Sequence, residues 1–256
     1  HKHSFAFRNV FINEDEYYFE LGPNGEITNT FAEQYMINEL SYRFNKPSKI
    51  FPQSIFVAGE MGDDYSKISL SYLTKIHYPG TTNGVDVRVF AGTFLQNGES
   101  DKHYFTLAGN NGYYDDMYDE IYLGRNTQNM FISNQISLSD GFFKVPVYDL
   151  GLTSDGAIAA ANLDIAIPRI PLVGLVADIA YVAPNTEVVG YNAFQYDAGI
   201  MIKLPKNIFA MYFPLLMSED LSNQFVDDVN TYGDKISFML SLNALNLFEM
   251  ARKMEF

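Results

Sequence analysis

The fold class this sequence predicts is an all-β, antiparallel transmembrane β-barrel, and three observations predict it. Ribbons of roughly 9–11 residues alternate apolar and polar side chains, the length a tilted strand needs to cross the hydrocarbon layer. No run of about 18 apolar residues is present, so a helical span is excluded. Aromatic residues are abundant, with 21 Phe and 18 Tyr but no Trp, while mean hydropathy is slightly negative. Membrane barrels show that balance because each outward apolar residue is answered by an inward polar one.

The clearest ribbon is FQYDAGIMIKL, Phe194 to Leu204. Successive strand side chains point to opposite faces. Phe194, Tyr196, Ala198, Ile200, Ile202 and Leu204 therefore form a greasy side, and Gln195, Asp197, Gly199, Met201 and Lys203 a wet one.

Taken in order, His3 to Ile12 places Phe5, Phe7 and Phe11 on one face, and Tyr17 to Leu21 is read as a short return before the GPNGE turn, Gly22 to Glu26. Thr30 to Asn38 is ambiguous between helix and strand, whereas Leu40, Tyr42 and Phe44 alternate with Ser41 and Arg43. Ile68, Leu70, Tyr72, Thr74 and Ile76 oppose Lys67, Ser69, Ser71, Lys75 and His77. After PGTTNG, Val85, Val87 and Val89 oppose Asp86 and Arg88, so the two ribbons form a hairpin.

Tyr104 to Leu107, Met117 to Leu123 and Met130 to Leu138 alternate more weakly and are also read as strands. Leu163 to Ile167, Leu175 to Tyr181 and a final ribbon with Ile236, Phe238, Leu240 and Leu242 opposite Lys235, Ser237, Ser241 and Asn243 complete the set. The expected count is about 12 strands, within a range of about 10 to 14. Reading back from the last strand, connections alternate long (Met217 to Asp234), short (Pro205 to Asn207), long (Ala183 to Ala193), short (Pro168 to Pro171) and long (Ser139 to Ala160). Long loops are external in bacterial barrels. Residues 246–256 follow as a short interfacial helix, with Leu247, Met250, Ala251 and Met254 on one helical face. A soluble antiparallel sandwich, whose strands also alternate, is the alternative.

The chain of 256 residues reads as a single domain, 1–256, with no linker to divide it. A formal charge of −14 would repel phosphate backbones, so nucleic acid is not an expected partner. With no Cys, disulfide scaffolds and thiolate metal sites are excluded. Opening at His1 without an initiator Met or a signal-peptide core, the sequence reads as a mature product or a piece of something longer.

Catalytic chemistry is not visible. None of His1, His3, His77 and His103 sits in a metal-ligand spacing, and there is no GxSxG elbow, P-loop or dinucleotide fingerprint. No catalytic residue and no cofactor is assigned. Asp115, Asp116, Asp119 and Glu120 are a candidate hard-cation site, against the alternative that they are solvated or paired with Arg125. The predicted lipid-facing residues are Ile68, Leu70, Tyr72, Val85, Val87, Val89, Phe194, Tyr196, Ile200, Ile202, Ile236, Phe238 and Leu240. Asp164, Asp178, Asp197, Lys67, Lys75, Arg88, Lys203 and Lys235 fall on the polar faces, which a barrel interior requires without any transport role.

GNNGYYDDMYDEIYLGR at Gly109 to Arg125, SNQISLSDGFFKVPV at Ser133 to Val147, KNIFAMYFPLLMSED at Lys206 to Asp220 and the closing LSLNALNLFEM carry a family resemblance. Together they resemble the C-terminal region of large Bacteroidetes cell-envelope zinc metallopeptidases of the gluzincin aminopeptidase family. In that family HExxH and a downstream Glu belong to a separate catalytic domain, so no zinc residue carries over to this chain. The resemblance implies the outer-membrane portion of a larger protein. DEIYLGR is also similar to sequences in barrels of the outer-membrane assembly and surface-antigen superfamily, but the chain is too short for that family's usual 16-stranded barrel plus its periplasmic repeats.

The expected function is a non-catalytic barrel in the bacterial outer membrane that anchors an envelope protein, complex or covalently linked domain. Its partners would be outer-membrane lipid and that envelope component, with Ser139 to Ala160 and Met217 to Asp234 as interaction loops. A membrane-anchoring fragment of a zinc metallopeptidase and a soluble β-rich binding module are the two other readings.

Overall fold

The period-two ribbons become strands of one large sheet. A computed structural model describes residues 1–21, 27–81, 83–98, 103–109, 117, 119, 122, 131–170, 172–183, 190–204, 208–225 and 231–241, with backbone alone at 14–21, 27–33, 131 and 150. Its strands are β1 (Lys2–Leu21), β2 (Ile27–Lys46), β3 (Gln53–Met61), β4 (Ser66–His77), β5 (Gly84–Gln96), the two-residue β6 (Phe105–Thr106) and β7 (Thr153–Ser154), then β8 (Ala157–Ala166), β9 (Val173–Val182), β10 (Phe194–Lys203), β11 (Phe209–Met217) and β12 (Ser237–Leu240). Ten of these form a single antiparallel meander in the order β1-β2-β3-β4-β5-β8-β9-β10-β11-β12, and β6 pairs with β7 separately. Among the described residues the sheet is open, with β1 and β12 at its edges. No second large sheet is stacked on it among the described residues, so they do not form the sandwich alternative.

Burial along the central strands is inverted relative to a water-soluble sheet. Ile179 is 55% exposed and Tyr196 52%, whereas Asp178 is 3% and Asp197 1% exposed. Water would favour the reverse, because burying charge is costly and burying apolar surface is favourable. Of the residues predicted to face lipid, Ile68, Leu70, Val89, Phe194, Tyr196 and Ile202 are exposed, and Tyr72, Val85, Val87, Ile200, Ile236 and Leu240 are partly exposed. Phe238 differs, being 5% exposed. The Phe209 ring stacks on it at 5.9 Å, and Gln135 forms a backbone bridge beside it.

The core lies between the inner face of this sheet and residues 103–109 and 131–154 of the covering segment. Phe90, Ile158, Ala160, Ala180 and Val182 of the sheet pack with Phe105, Leu107, Phe143, Val145, Val147 and Leu152 of the segment. Gly92 makes this approach possible, since a Cβ there would meet the Phe105 ring at 2.6 Å.

Several expectations change accordingly. Tyr17 to Leu21 continues β1 instead of returning, and 30–38 is strand, paired with β1 throughout. Met130 to Leu138 is not a strand: Phe131–Asn134 is a 3-10 turn, and β6 is all that remains of Tyr104 to Leu107. Ser139 to Ala160 is not an external loop, because Gly141 to Val147 are buried on the sheet and Ala157 opens β8. Their apolar side chains gain more by filling the sheet's inner concavity than by pairing as edge strands. Lys235 ends a 3-10 turn, Tyr232–Lys235, and so is not on the face of β12. The GPNGE turn and the 246–256 helix lie outside the described residues. No helix among the described residues is long and apolar enough to cross a membrane.

Candidate functional site

Register alone aligns four polar residues into a row across the sheet. Arg88 on β5 stands opposite Asn162 on β8, Asn162 opposite Asp178 on β9, and Asp178 opposite Asp197 on β10. A neighbouring row runs from Lys75 on β4 through Asp86 on β5 to Asp164 on β8. Directly opposed side chains in a sheet are close enough to interact. The structure thus brings together most of the charged residues that the alternation put on the polar faces.

Into this lattice the covering segment inserts Lys144, whose side chain has no exposed surface. Its ammonium lies 3.2 and 3.3 Å from the two Asp178 oxygens, 3.7 Å from Asp164 and 3.1 Å from the Phe142 carbonyl. It also sits 3.9 Å from the centre of the Phe142 ring. Asn162 Nδ2 donates to Asp178 Oδ1 at 3.0 Å. The Lys144 and Val145 backbone N–H groups both donate to Asp197 Oδ2, at 2.9 and 3.3 Å. Asp197 Oδ1 is buried without a hydrogen-bond partner. On the far side Lys203 reaches Asp164 at 3.3 Å and Asp86 at 3.5 Å, and Lys75 reaches Asp86 at 3.4 Å.

The turn that carries Lys144 is held in a strained backbone. Asp140 and Phe142 have φ of 37° and 49°, in the left-handed region that non-glycine residues rarely adopt. Arg88 Nη1 donates to the Asp140 carbonyl at 2.6 Å, and Asn162 Nδ2 to the Gly141 carbonyl at 2.9 Å. Thr106 donates to the Asp140 carboxylate from its N–H and its hydroxyl, at 2.9 and 3.2 Å. At the other end Asn134 Nδ2 donates to the Asp234 and Ile236 carbonyls, both at 2.9 Å.

Between the inner face of β2 to β5 and the covering segment lies a cavity of about 350 Å³. Glu39, Arg43, Glu60, Lys67, Ser71 and Asp140 are among its walls. On its wall Lys67 and Glu60, register partners on β4 and β3, pair at 3.0 Å.

Of the candidate cation ligands, Asp119 is exposed and accepts a short hydrogen bond from Arg8, whereas Asp115, Asp116 and Glu120 lie outside the described residues. Outside the strands, Asp220 on helix α1 (Glu219–Asn223) accepts from the Asn192 N–H at 2.8 Å, Asn192 Nδ2 at 3.1 Å and Gln195 Nε2 at 2.8 Å. Burial pushes its carboxyl up, but these three donors outweigh burial and hold it below the usual carboxylate range.

Lys144 and Asn162 carry the site without having been singled out from sequence. The signal for Lys144 was its isolation in the apolar run FFKVPV, where a charge needs a buried partner. Chemically the arrangement neutralises and ties down; no side chain in it is set as a nucleophile beside a base. In comparisons with known proteins, no family model matches the chain, and no curated protein or solved structure matches it.

Proposed function

We propose that this chain is an outer-membrane β-barrel that anchors or scaffolds an envelope protein or complex and is itself non-catalytic. The observation that carries the reading is the inverted burial on β8 to β10, with aspartates inside and Ile179, Tyr181 and Tyr196 outside. A solvent of acyl chains makes that distribution favourable. Closure of the sheet is supported on similar grounds. An unpaired β1 edge of twenty residues bearing Phe5, Phe7 and Phe11 would be a template for aggregation, and in lipid its free N–H and C=O groups would cost several kcal/mol each. On this reading the barrel closes through its two edges, which are unpaired among the described residues, and residues 103–109 and 131–154 occupy its interior. With the lumen so filled, holding a component at the membrane fits better than free diffusion. The resemblance to envelope peptidases makes an appended peptidase domain one candidate for that component, which an HExxH in the parent gene would support.

The chain has no Trp, so a single Ile179→Trp variant reports its own surroundings. Reconstituted into vesicles of brominated-chain lipid, its fluorescence is quenched and the protein floats with the vesicles. A protein that stays in the aqueous fraction with unquenched Trp sinks the proposal.

A further inference from the structure

We propose that the segment from Phe131 to Leu152 is a releasable plug in a cation-conducting lumen, and that Lys144 is its latch; this rests on the barrel reading above. Topology makes release possible. β5 and β8 pair directly from Val85↔Ile165 to Thr93↔Ala157, so everything between them in sequence is an insertion at one end of a hairpin. Its removal from the lumen breaks no rung of the ten-stranded ladder except the isolated Gln135↔Phe238 bridge. The segment is held by side chains of the sheet, with Arg88 and Asn162 on its strained turn, Asp197 on the N–H groups of Lys144 and Val145, and Asp178 on the ammonium. It is held as well by apolar packing of Phe143, Val145, Val147 and Leu152 on the sheet and by backbone bonds from Ser137, Gly141 and Phe143 to Gly109, Thr106 and Leu107. Letting go relieves the left-handed backbone at Asp140 and Phe142, which offsets part of the free energy that these hydrogen bonds and the ion pair supply.

Charge decides what passes. The sheet beneath the plug offers Asp86, Asp164, Asp178 and Asp197 against Lys75, Arg88 and Lys203. Lys144 is the fourth cation, supplied by the plug and sitting on Asp178 like a tethered ion. When the plug leaves, Lys144 goes with it, as do Asp140 and Asp149, and these wall residues keep four carboxylates against three cations, which favours cations over anions. A barrel of about ten strands is just wider than one filled by its own side chains, so the plug accounts for the difference.

The test is conductance of the full chain in planar bilayers with potassium chloride. Wild type should be nearly closed. Lys144→Met should raise the mean current at least about tenfold by raising the open fraction, the ratio a modest change in a two-state equilibrium produces, and favour potassium over chloride. Lys144→Met with Asp178→Asn removes both charges, which avoids stranding a buried carboxylate, and should conduct with a weaker potassium preference. In parallel, Ser237→Cys places the only thiol of the chain under the Lys144 carbonyl, to which the Ser237 hydroxyl donates at 2.5 Å. That thiol should react with a water-soluble reagent while β content is unchanged. Variants that float with vesicles yet stay as tight as wild type, or chloride preference, overturn the plug and leave the barrel standing. Thiol reaction only at the rate of global unfolding does the same, even where the Lys144 variants fail to fold. A wild-type chain that never floats overturns both.

Discussion

Lys144 and Asp178 form an ion pair at 3.2 Å in which neither side chain has any exposed surface. The two residues are 34 positions apart, one on the covering segment and one at the centre of the sheet. A buried pair of this kind adds little net stability over an apolar pair, because desolvation offsets attraction, but losing one member strands the other.

Lys144→Met should therefore destabilise the protein by about 3–5 kcal/mol in urea unfolding, and adding Asp178→Asn should recover a good part of that loss. Equal destabilisation by the single and double variants would mean the two charges are not coupled.

Ile179→Arg separates lipid from water as the surroundings of the exposed face. On a lipid-facing strand the substitution costs about 2–4 kcal/mol near the midplane. On a wetted surface it changes stability by no more than about 0.5 kcal/mol. Unfolding from vesicles, compared with wild type, gives the answer directly.

Gly92→Ala should destabilise by about 1–3 kcal/mol, because the new methyl overlaps the Phe105 ring in a packed core. Pairing it with Phe105→Leu should return part of the loss. A double-mutant cycle with no coupling between the two sites would refute this contact.

The pinned carboxylate of Asp220 makes one pH dependence predictable. Its folded-state pKa is lowered below the unfolded value, so its stabilisation is present above the ordinary carboxylate pKa, roughly 3.9, and is lost as pH falls through the folded value. Wild type should lose stability relative to Asp220→Asn as pH drops through that window. Parallel pH profiles for the two proteins would show that the three donors do not discriminate between charge states.

Tyr191 titrates in the opposite sense. Its hydroxyl donates to Asp149 at 2.6 Å, and that bond, with burial and the nearby Asp149 and Asp220 charges, pushes its pKa up to about 12. The contribution holds below the unfolded Tyr pKa, roughly 10, and disappears as pH rises through about 12. Phenolate absorbance of wild type against Tyr191→Phe should place one tyrosine's titration there; a difference titrating at the ordinary Tyr value would count against the bond.

By itself the sequence determined the strands whose alternation is regular and the faces of their side chains. Phe194 to Lys203 is the plainest case, since a period of two is a local property that needs no knowledge of neighbours. The hairpin across PGTTNG was equally legible, with Gly80 at φ 73° making the turn. What the alternation does not specify is which neighbour covers each face. Met201 shares the polar face with Asp197, yet it is buried with Ile136, Phe142 and Tyr212. The stretches Tyr104 to Leu107 and Met130 to Leu138 alternate enough to read as strands, but tertiary structure buries Tyr104, Phe105, Leu107 and Ile136 beneath the sheet and leaves Ile132 and Leu138 exposed. Lys144 likewise finds Asp178 and Asp197 only through register between strands that are distant in sequence. Period and turn chemistry are set within a few residues, whereas the partner of a buried charge is chosen by desolvation, which acts only once the whole sheet and its covering segment are assembled.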